Sequence, residues 1–266
     1  MNTVVITGST SGIGFGMAES FLKSGCAVIV NGRTEKRVQE AVAVLGSKYQ
    51  PERILGVPCD VADPAQLQHL WDSAIKQFNQ VDIWINNAGT SGPGGNVWEI
   101  PTEEIQGVIS ANILGTIYGS NVAIKGMQDQ GFGALYNMEG YGSDGTVRPG
   151  MASVYGTTKA GIHFFTKSLA KDLKESKLII GSLRPGMVIT DFVMQHFEDD
   201  PERLERVRGI FNIIADTVEN VSPWLTRKIL GNQKSGVVIN YSSPWRYLGR
   251  IMMRPFKKRN VFADYS

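Results

Sequence analysis

The chain has 266 residues, of which 42% are hydrophobic and 20% are charged, and its formal net charge is +2. Such a chain can bury one sizeable core, and an α/β protein of this length can form a single domain. The small net charge argues against a general nucleic-acid binder. Cys26 and Cys59 adjoin predicted strands, which favours reduced thiols, and Met1 leads directly into a strand. Both features predict a cytoplasmic protein.

The chain opens with a β-branched strand, Thr3–Thr7, and a glycine-rich turn that leads into an apolar helix ending near Lys23. Backbone N–H groups of such a turn can approach a pyrophosphate, which the helix N-terminus then stabilises. The pattern predicts a phosphate cradle, with a plain tight turn as the alternative. Its candidate cofactor-binding residues are Gly8, Ser9, Ser11, Gly12, Ile13 and Gly14.

The second predicted strand, Cys26–Asn31, determines the expected cofactor. Arg33 follows it, and neither Asp nor Glu occupies the strand end. An acidic residue there would bind the ribose hydroxyls of NAD, whereas an arginine can hold the 2′-phosphate of NADP. The sequence therefore predicts NADPH rather than NADH, with Arg37 as a second phosphate partner. A solvated loop arginine is the alternative.

The third predicted strand, Arg53–Val57, is followed by Asp60 and Val61, which are placed beside the adenine. Asp60 could instead cap the next helix, although Asp63 fits that position better. The fourth strand, Val81–Ile85, ends in small and amide-bearing residues suited to crossing close to a cofactor. These are Asn87, Ala88 and Gly89.

A long helix is predicted from Thr102 to about Gln130, and it carries Asn112. Asparagine is mildly unfavourable inside a helix, so either its side chain or a local kink is expected to position a water. Later strands are predicted at Gly133–Met138, Leu178–Leu183 and Val237–Tyr241. Alternating strands and helices predict a single-domain, Rossmann-type, doubly wound parallel sheet of about seven strands with helices on both faces.

Tyr155 and Lys159 lie four positions apart on a predicted helix and therefore share one face. A free phenol has a pKa of about 10, and an adjacent cation lowers it towards working pH. The pair is predicted to be a general acid/base with its tuning group. A solvated surface pair has the same spacing, and the surrounding motifs favour catalysis.

Four motifs follow one another in order, namely T-G-S-T-S-G-I-G, N-N-A-G, Y-G-T-T-K and R-P-G-M-V-I-T-D. Together they resemble the short-chain dehydrogenase/reductase family. The resemblance implies that Tyr155 is the acid/base, that Lys159 binds the nicotinamide ribose, and that Asn112 holds a proton-relay water. It also implies a cofactor site that includes Asn87, Pro185, Gly186, Val188 and Thr190.

The family's usual serine, thirteen residues before the tyrosine, is replaced by Gly142. Ser143 is the best substitute, and Ser153 is a better candidate for a helix cap. The run N-M-E-G-Y-G-S resembles the chlorophyll(ide) b reductase branch, which implies NADPH-dependent reduction of a formyl group on a bulky apolar substrate to hydroxymethyl. The alternatives are a general ketone or 3-oxoacyl reductase, an alcohol dehydrogenase, and a non-catalytic NADP-binding sensor.

Residues 1–243 are expected to form the catalytic domain, in which residues 190–216 are either a mobile apolar lid or ordinary amphipathic helices. Residues 244–266 form a tail with six basic residues and no acidic one between residues 244 and 259. Its apolar residues recur at helical spacing, as in a helix that contacts a membrane, a pigment–protein complex or a neighbouring subunit. The resemblance favours a homodimer or homotetramer, and no metal site is predicted.

Overall fold

The protein is described by a computed structural model, which covers residues 1–146, 153–197, 200–253 and 259–263. Seven parallel strands form one sheet in the order β3-β2-β1-β4-β5-β6-β9, and a separate pair is formed by β7 and β8. The strands are β1 (Thr3–Ile6), β2 (Ala27–Gly32), β3 (Ile54–Pro58), β4 (Ile83–Asn86), β5 (Gly133–Met138), β6 (Leu178–Arg184), β7 (Met187–Val188), β8 (Ala215–Asp216) and β9 (Val237–Asn240).

The helices connect successive strands and cover both faces of the sheet, as parallel crossovers require. They are α1 (Gly12–Lys23), α2 (Glu35–Gly46), α3 (Pro64–Phe78), α4 (Thr102–Ile109), α5 (Gly115–Gln130), α6 (Ser153–Asp172), α7 (Asp191–Met194), α8 (Pro201–Ile214), α9 (Val218–Leu230) and α10 (Pro244–Met253). Residues Ser110–Leu114 join α4 to α5 as a π-helical turn.

The apolar residues of the strands alternate between two hydrophobic clusters, one on each face of the sheet. Val4, Ile6 and Val28 pack against α1 and α9 on one face. Val5 and Ile29 belong to the cluster on the other face, which includes residues of α3 and α5. This arrangement confirms the predicted doubly wound α/β fold. The predicted strands all occur with small differences at their ends, and within the described residues only the two-residue strands β7 and β8 were missed.

The order of the strands reverses between β1 and β4, which both pair in parallel with their neighbours. Ligands of open α/β sheets bind at the carboxyl ends of the strands at such a point. The turn after β1 and the residues after β4, β5 and β6 therefore converge on one edge of the sheet.

Behind this edge lies a buried polar network that joins β4, β5, α5 and α6. Asn86 Nδ2 donates to Asn137 Oδ1 at 2.8 Å and to Ser120 Oγ at 3.0 Å, and Asn137 Nδ2 donates to Thr166 Oγ1 at 2.9 Å. Buried polar groups of this kind define one packing arrangement because each needs its partner. The network thus fixes α6 relative to the strand ends.

The helical run Thr102–Gln130 has the length and mean hydropathy, 1.2, of a possible membrane span. However, 44% of its most apolar stretch is buried inside the protein, as in the core helix of a globular domain.

Cys26 and Cys59 are free and buried.

Candidate active site

The turn after β1 is shaped to bring backbone close to a ligand. A Cβ on Gly14 would lie only 2.6 Å from the Asn87 Nδ2 atom, so glycine is required for this close approach. Helix α1 begins at Gly12, and its N-cap residue, Ser11, is exposed and makes no capping hydrogen bond through its side chain. Free N–H groups at a helix N-terminus suit a phosphate, and the residues present therefore fit a pyrophosphate.

Ser9 belongs to the predicted cofactor set, but its side chain is fully buried and structural. Its hydroxyl donates to the Ile6 carbonyl at 2.7 Å and accepts from the Asn31 N–H at 2.9 Å. The side chain thus joins the turn to β2. A serine in a glycine-rich turn is typical of a ligand-binding site. The structural role of Ser9 becomes visible only from the position of β2, whose Asn31 N–H it binds.

The residues after β4 pack against this turn. Asn87 Nδ2 donates to the carbonyls of Thr7 and Gly8 at 2.9 and 3.0 Å, and the Ala88 N–H donates to Thr7 Oγ1 at 3.0 Å. Gly89 is exposed beside the catalytic candidates, since a Cβ there would lie 2.9 Å from Asn112 Oδ1. These residues form one wall of the predicted cofactor site.

The residues predicted to bind the adenine end of the cofactor differ in exposure. Arg33 is exposed just beyond β2, where a ribose phosphate would be accessible to it. Asp60 is half-buried, and its Oδ1 accepts from the Ala62 N–H at 2.9 Å. Asp63 rather than Asp60 caps α3, since its carboxylate accepts from Ala65 and Gln66, and Val61 is buried against Gly115.

The loop after β6 faces the glycine turn across the site. A Cβ on Gly12 would lie 3.5 Å from Thr190 Cγ2, so the two loops approach each other closely at this point. Pro185, Val188 and Thr190 are buried, whereas Gly186 is exposed. The predicted nicotinamide-flanking residues therefore border the same cleft as the predicted phosphate cradle.

Tyr155 and Lys159 share one face of α6, as their spacing predicts. The Lys159 Nζ atom lies 5.6 Å from the centroid of the Tyr155 ring and donates to the Met138 carbonyl at 3.0 Å. A Cβ on Gly140 would collide with the Tyr155 hydroxyl, so the phenol lies directly over the loop after β5. The Phe192 ring covers Tyr155, with their centroids 5.8 Å apart.

Lys159 is buried and Tyr155 is half-buried, and loss of hydration dominates the ionisation of both groups. Desolvation raises the pKa of Tyr155, opposite to the direction predicted from the Tyr–Lys pair. Desolvation also lowers the pKa of Lys159 to about 8, although Glu139 acts in the other direction. A phenol with a raised pKa stays protonated at neutral pH, which suits a proton donor to a developing alkoxide.

Asn112 lies in the π-helical turn, so the predicted kink is present. Both of its amide hydrogens are used: Nδ2 donates to the Thr90 carbonyl at 2.9 Å and to Thr158 Oγ1 at 3.0 Å, while Oδ1 accepts from the Thr90 N–H at 2.8 Å. A water at this point could bind the widened backbone or the second lone pair of Oδ1. π-Turns free backbone groups in this way and are frequent at functional sites.

Position 142, where the family's serine would stand, has no room for a side chain. Gly142 has a φ of +87°, and a Cβ there would lie 2.7 Å from the Gly156 carbonyl oxygen. The Ser143 hydroxyl is turned into its own loop, where it donates to the Gly140 carbonyl at 2.8 Å and accepts from the Gly140 N–H at 3.0 Å. Contact with a substrate would require it to leave these partners. Ser153 is exposed at the start of α6.

Sequence reasoning missed a buried ionic cluster directly behind this loop. The Glu139 side chain is fully buried, and its Oε2 accepts from Arg184 Nε at 2.9 Å. Its Oε1 lies 2.7 Å from His163 Nδ1. A glutamate at the end of an apolar strand is the signal that could have found the cluster, because a buried carboxylate requires partners.

The segment after Thr190 packs against the loop after β4. His196 Nε2 and Gln195 Nε2 lie 2.8 and 2.9 Å from Ser91 Oγ, which connects this segment to the loop after β4. Phe197 and Phe211 pack with C-terminal Phe262 in a third apolar cluster.

Residues 147–152 and 198–199 lie outside the described part of the chain. Among the described residues, no group of His, Cys, Asp and Glu could hold a metal.

The fold and the site together define a nicotinamide-dependent oxidoreductase. A family model described as short chain dehydrogenase matches residues 2–201. The chain belongs to this short-chain dehydrogenase family, and it is therefore an NAD(P)-dependent oxidoreductase. The predicted family and enzyme class are confirmed.

Three comparisons refine this assignment. The chain is 33% identical over 261 residues to the probable chlorophyll(ide) b reductase NYC1, chloroplastic, of Oryza sativa subsp. japonica, over 92% of the chain and 50% of that relative. It is 34% identical over 231 residues to the chlorophyll(ide) b reductase NOL, chloroplastic, of the same species, over 85% and 66% respectively. The solved structure of ElxO with NADP bound is 28% identical, with a TM-score of 0.78 over 90% of this chain and 96% of that one.

These comparisons confirm the predicted resemblance to chlorophyll(ide) b reductases, and the NADP in ElxO agrees with the predicted cofactor. The chain spans half to two thirds of the length of the two plant relatives. Both relatives are named chloroplastic, which contradicts the predicted cytoplasmic location. The error arose because cysteine usage and the first residues of the chain are poor guides to a compartment.

Proposed function

We propose that this protein is an NADPH-dependent reductase that converts a formyl group on a chlorin, as in chlorophyllide b, to hydroxymethyl. The observation that carries the proposal is the identity of 33% to a named chlorophyll(ide) b reductase along 92% of the chain. The apolar cover that Phe192 provides over Tyr155 suits a large, flat, apolar substrate.

The proposed chemistry takes place beside the Tyr155 hydroxyl. Bound NADPH would supply the hydride to the carbonyl carbon. Tyr155 would hold the carbonyl oxygen and donate its proton as that oxygen becomes negative, so that charge stabilisation and proton transfer act on one atom. The protonated phenol that burial favours is the form this step needs. The Ser143 hydroxyl bonds the Gly140 backbone, and its role as a second donor to the same oxygen is the alternative in which it leaves these partners.

After the proton has left, Tyr155 must be protonated again from solvent. Lys159 lies beside the phenol. Gly89 lies between Lys159 and the π-turn, since a Cβ on Gly89 would be 3.8 Å from Lys159 Nζ and 2.9 Å from Asn112 Oδ1. A water on the turn's backbone would complete a path from Lys159 towards solvent. We therefore propose that Asn112 holds the π-turn against the Thr90 loop and that Lys159 belongs to the path that returns a proton to Tyr155.

The preference for NADPH is assigned to Arg33. An exposed arginine beyond β2 can meet a 2′-phosphate in bidentate fashion. The nicotinamide end would lie between the loop after β6 and Lys159, and the pyrophosphate would lie on the N-terminus of α1.

Incubation with NADPH and chlorophyllide b, followed by chromatography of the pigments, tests the proposal. We expect a hydroxymethyl product with wild-type protein and none with Tyr155→Phe. Consumption of NADPH with other aldehydes or ketones, but not with chlorophyllide b, would replace the chlorin by another carbonyl substrate. Tight NADPH binding without turnover of any carbonyl would favour the NADP-binding sensor.

In the basic tail, the structure describes Arg246, Arg250 and Arg259, while Arg254, Lys257 and Lys258 lie outside the described residues. Arg250 and Arg259 both bind Asp216, and the Arg246 guanidinium lies 3.8 Å from the Tyr241 ring centroid. Helix α10 thus turns basic residues inward and leaves apolar ones outward, with Trp245 81% and Met252 67% exposed. We assign this outward face to a neighbouring subunit of a homodimer or homotetramer.

Light scattering tests this assembly. Trp245→Glu should dissociate the wild-type oligomer, whereas Trp98→Glu, the same change at another highly exposed tryptophan, should not. A monomeric wild type that pellets with anionic vesicles, and no longer does so after Trp245→Glu, would assign the face to a membrane instead.

A further inference from the structure

The buried cluster behind the active site contains a charged group that the mechanism above does not use. Glu139 follows β5 directly, and its side chain is fully buried. Its N–H donates to the Leu183 carbonyl at 2.8 Å, which extends the β5–β6 ladder by one step beyond the Met138–Leu183 pair. The carboxylate is therefore held on the sheet rather than on a flexible loop.

Two side chains from different elements hold the ionised carboxylate. Arg184, the last residue of β6, donates to Oε2 through Nε at 2.9 Å. His163, on α6, lies with Nδ1 2.7 Å from Oε1. Because an ionised carboxylate can only accept, Nδ1 carries the hydrogen in this contact. Each carboxylate oxygen thus has its own partner, as burial of a charge requires.

The cluster is adjacent to the catalytic pair. Tyr155, Lys159 and His163 follow each other at four-residue spacing and so form one row along α6. Lys159 donates to the carbonyl of Met138, the residue before Glu139. Glu139 therefore contacts the last member of this row and directly follows the residue whose carbonyl binds Lys159.

Lys159 needs this charge because its surroundings otherwise disfavour an ammonium. The residue is only 4% exposed. Its described neighbours are the Met138 carbonyl, the Tyr155 ring, and the backbone of Gly89 and Gly140. Among the described residues, Glu139 is the charged group that raises the pKa of Lys159 against this burial. His163 and Arg184 contact Glu139 itself.

We propose that Glu139 is a positioning residue for carbonyl reduction: its carboxylate keeps the buried Lys159 ammonium protonated, and Arg184 sets how strongly it does so. This inference rests on the function proposed above, since it gives Lys159 its role. A neutral Lys159 could neither hold a ribose hydroxyl as a cationic donor nor assist the reprotonation of Tyr155. Loss of the Glu139 charge would thus reduce activity at alkaline pH first.

The test is the pH dependence of NADPH affinity and of NADPH oxidation between about pH 6 and 10 in wild type and Glu139→Gln. Burial lowers the pKa of wild-type Lys159 to about 8, so both quantities should decline around that pH. Removing an adjacent opposite charge lowers a lysine pKa, and the decline should move down by about one pH unit or more in Glu139→Gln. An unchanged midpoint in both measurements would overturn the proposal.

Asp216→Asn is the matched control. It makes the same carboxylate-to-amide change at another buried acidic residue. The partners of Asp216 are Arg250 and Arg259, which contact neither Tyr155 nor Lys159 in the described part of the chain. It should lower stability without moving the alkaline midpoint. A shift of equal size in Asp216→Asn would show that general destabilisation moves the midpoint, and the proposal would fail.

Arg184→Gln keeps the proposal testable if Glu139→Gln does not fold. It removes the arginine and leaves His163 as the described partner of Glu139, so the negative charge acts more strongly on Lys159 and the midpoint should move up. A midpoint that stays or falls would contradict the proposal. NADPH binding also separates the two claims: a protein that reduces no carbonyl refutes the proposed function, while the pH dependence of its NADPH affinity still decides the role of Glu139.

Discussion

Restoring the family's serine at position 142 should damage this protein rather than improve it. The Gly142→Ser change places a side chain on a backbone with φ of +87°, which costs an L-residue about 1–2 kcal/mol. Its Cβ would also lie 2.7 Å from the Gly156 oxygen and 2.8 Å from the Gly156 Cα, both on the helix that carries Tyr155. Overpacking against such backbone adds about 1–3 kcal/mol.

The free energy of unfolding of Gly142→Ser should therefore fall by about 3 kcal/mol, which for a domain of this size lowers Tm by roughly 6–12 °C. Calorimetry measures this shift. Gly145→Ser is the matched control, because Gly145 has a similar φ of +79° and no described atom within 4 Å of its added Cβ. It should lose only about 1 kcal/mol. Equal stability of the two variants, with higher activity in Gly142→Ser, would refute this account of the loop.

Two further predictions concern single side chains. Arg33→Asp should weaken NADPH binding roughly 10- to 100-fold, since a charged hydrogen bond is worth about 1.5–3 kcal/mol, and should leave NADH nearly unchanged. Fluorescence titration measures the affinity for each cofactor, and Lys36→Asp is the control with the same charge change. Equal effects of Arg33→Asp on NADPH and NADH would contradict the assignment of Arg33 to the 2′-phosphate. Ser143→Ala should lower Tm, because the hydroxyl bonds the Gly140 backbone, and should reduce kcat by no more than about tenfold. A loss of about 100-fold or more at unchanged Tm would place the hydroxyl on the substrate oxygen instead.

The fold could be predicted from the sequence because its signals are local. Runs of β-branched residues mark buried parallel strands, and glycine turns mark their carboxyl ends. The spacing of Tyr155 and Lys159 is equally local, since four residues on one helix always share a face. The unfavourable Asn112 pointed to a helical irregularity, and the structure has a π-turn there.

The remaining features depend on contacts between distant segments. Glu139, His163 and Arg184 meet only because β5 and β6 pair in one register and α6 packs across them. The burial that raises the pKa of Tyr155 likewise depends on tertiary packing. The sequence could not show that Ser143 faces inward or that Asp216 holds the tail, because each requires a loop conformation that composition does not determine.

The central claim is that hydride passes from NADPH to a formyl carbon while Tyr155 protonates the formyl oxygen. Transfer of deuteride tests this claim most directly. NADPH deuterated on the transferring face of its nicotinamide would be incubated with chlorophyllide b and the product analysed by mass spectrometry. The account predicts a hydroxymethyl product with one deuterium on the former formyl carbon, and its absence with Tyr155→Phe. A product without deuterium, or equal labelling by Tyr155→Phe, would contradict it.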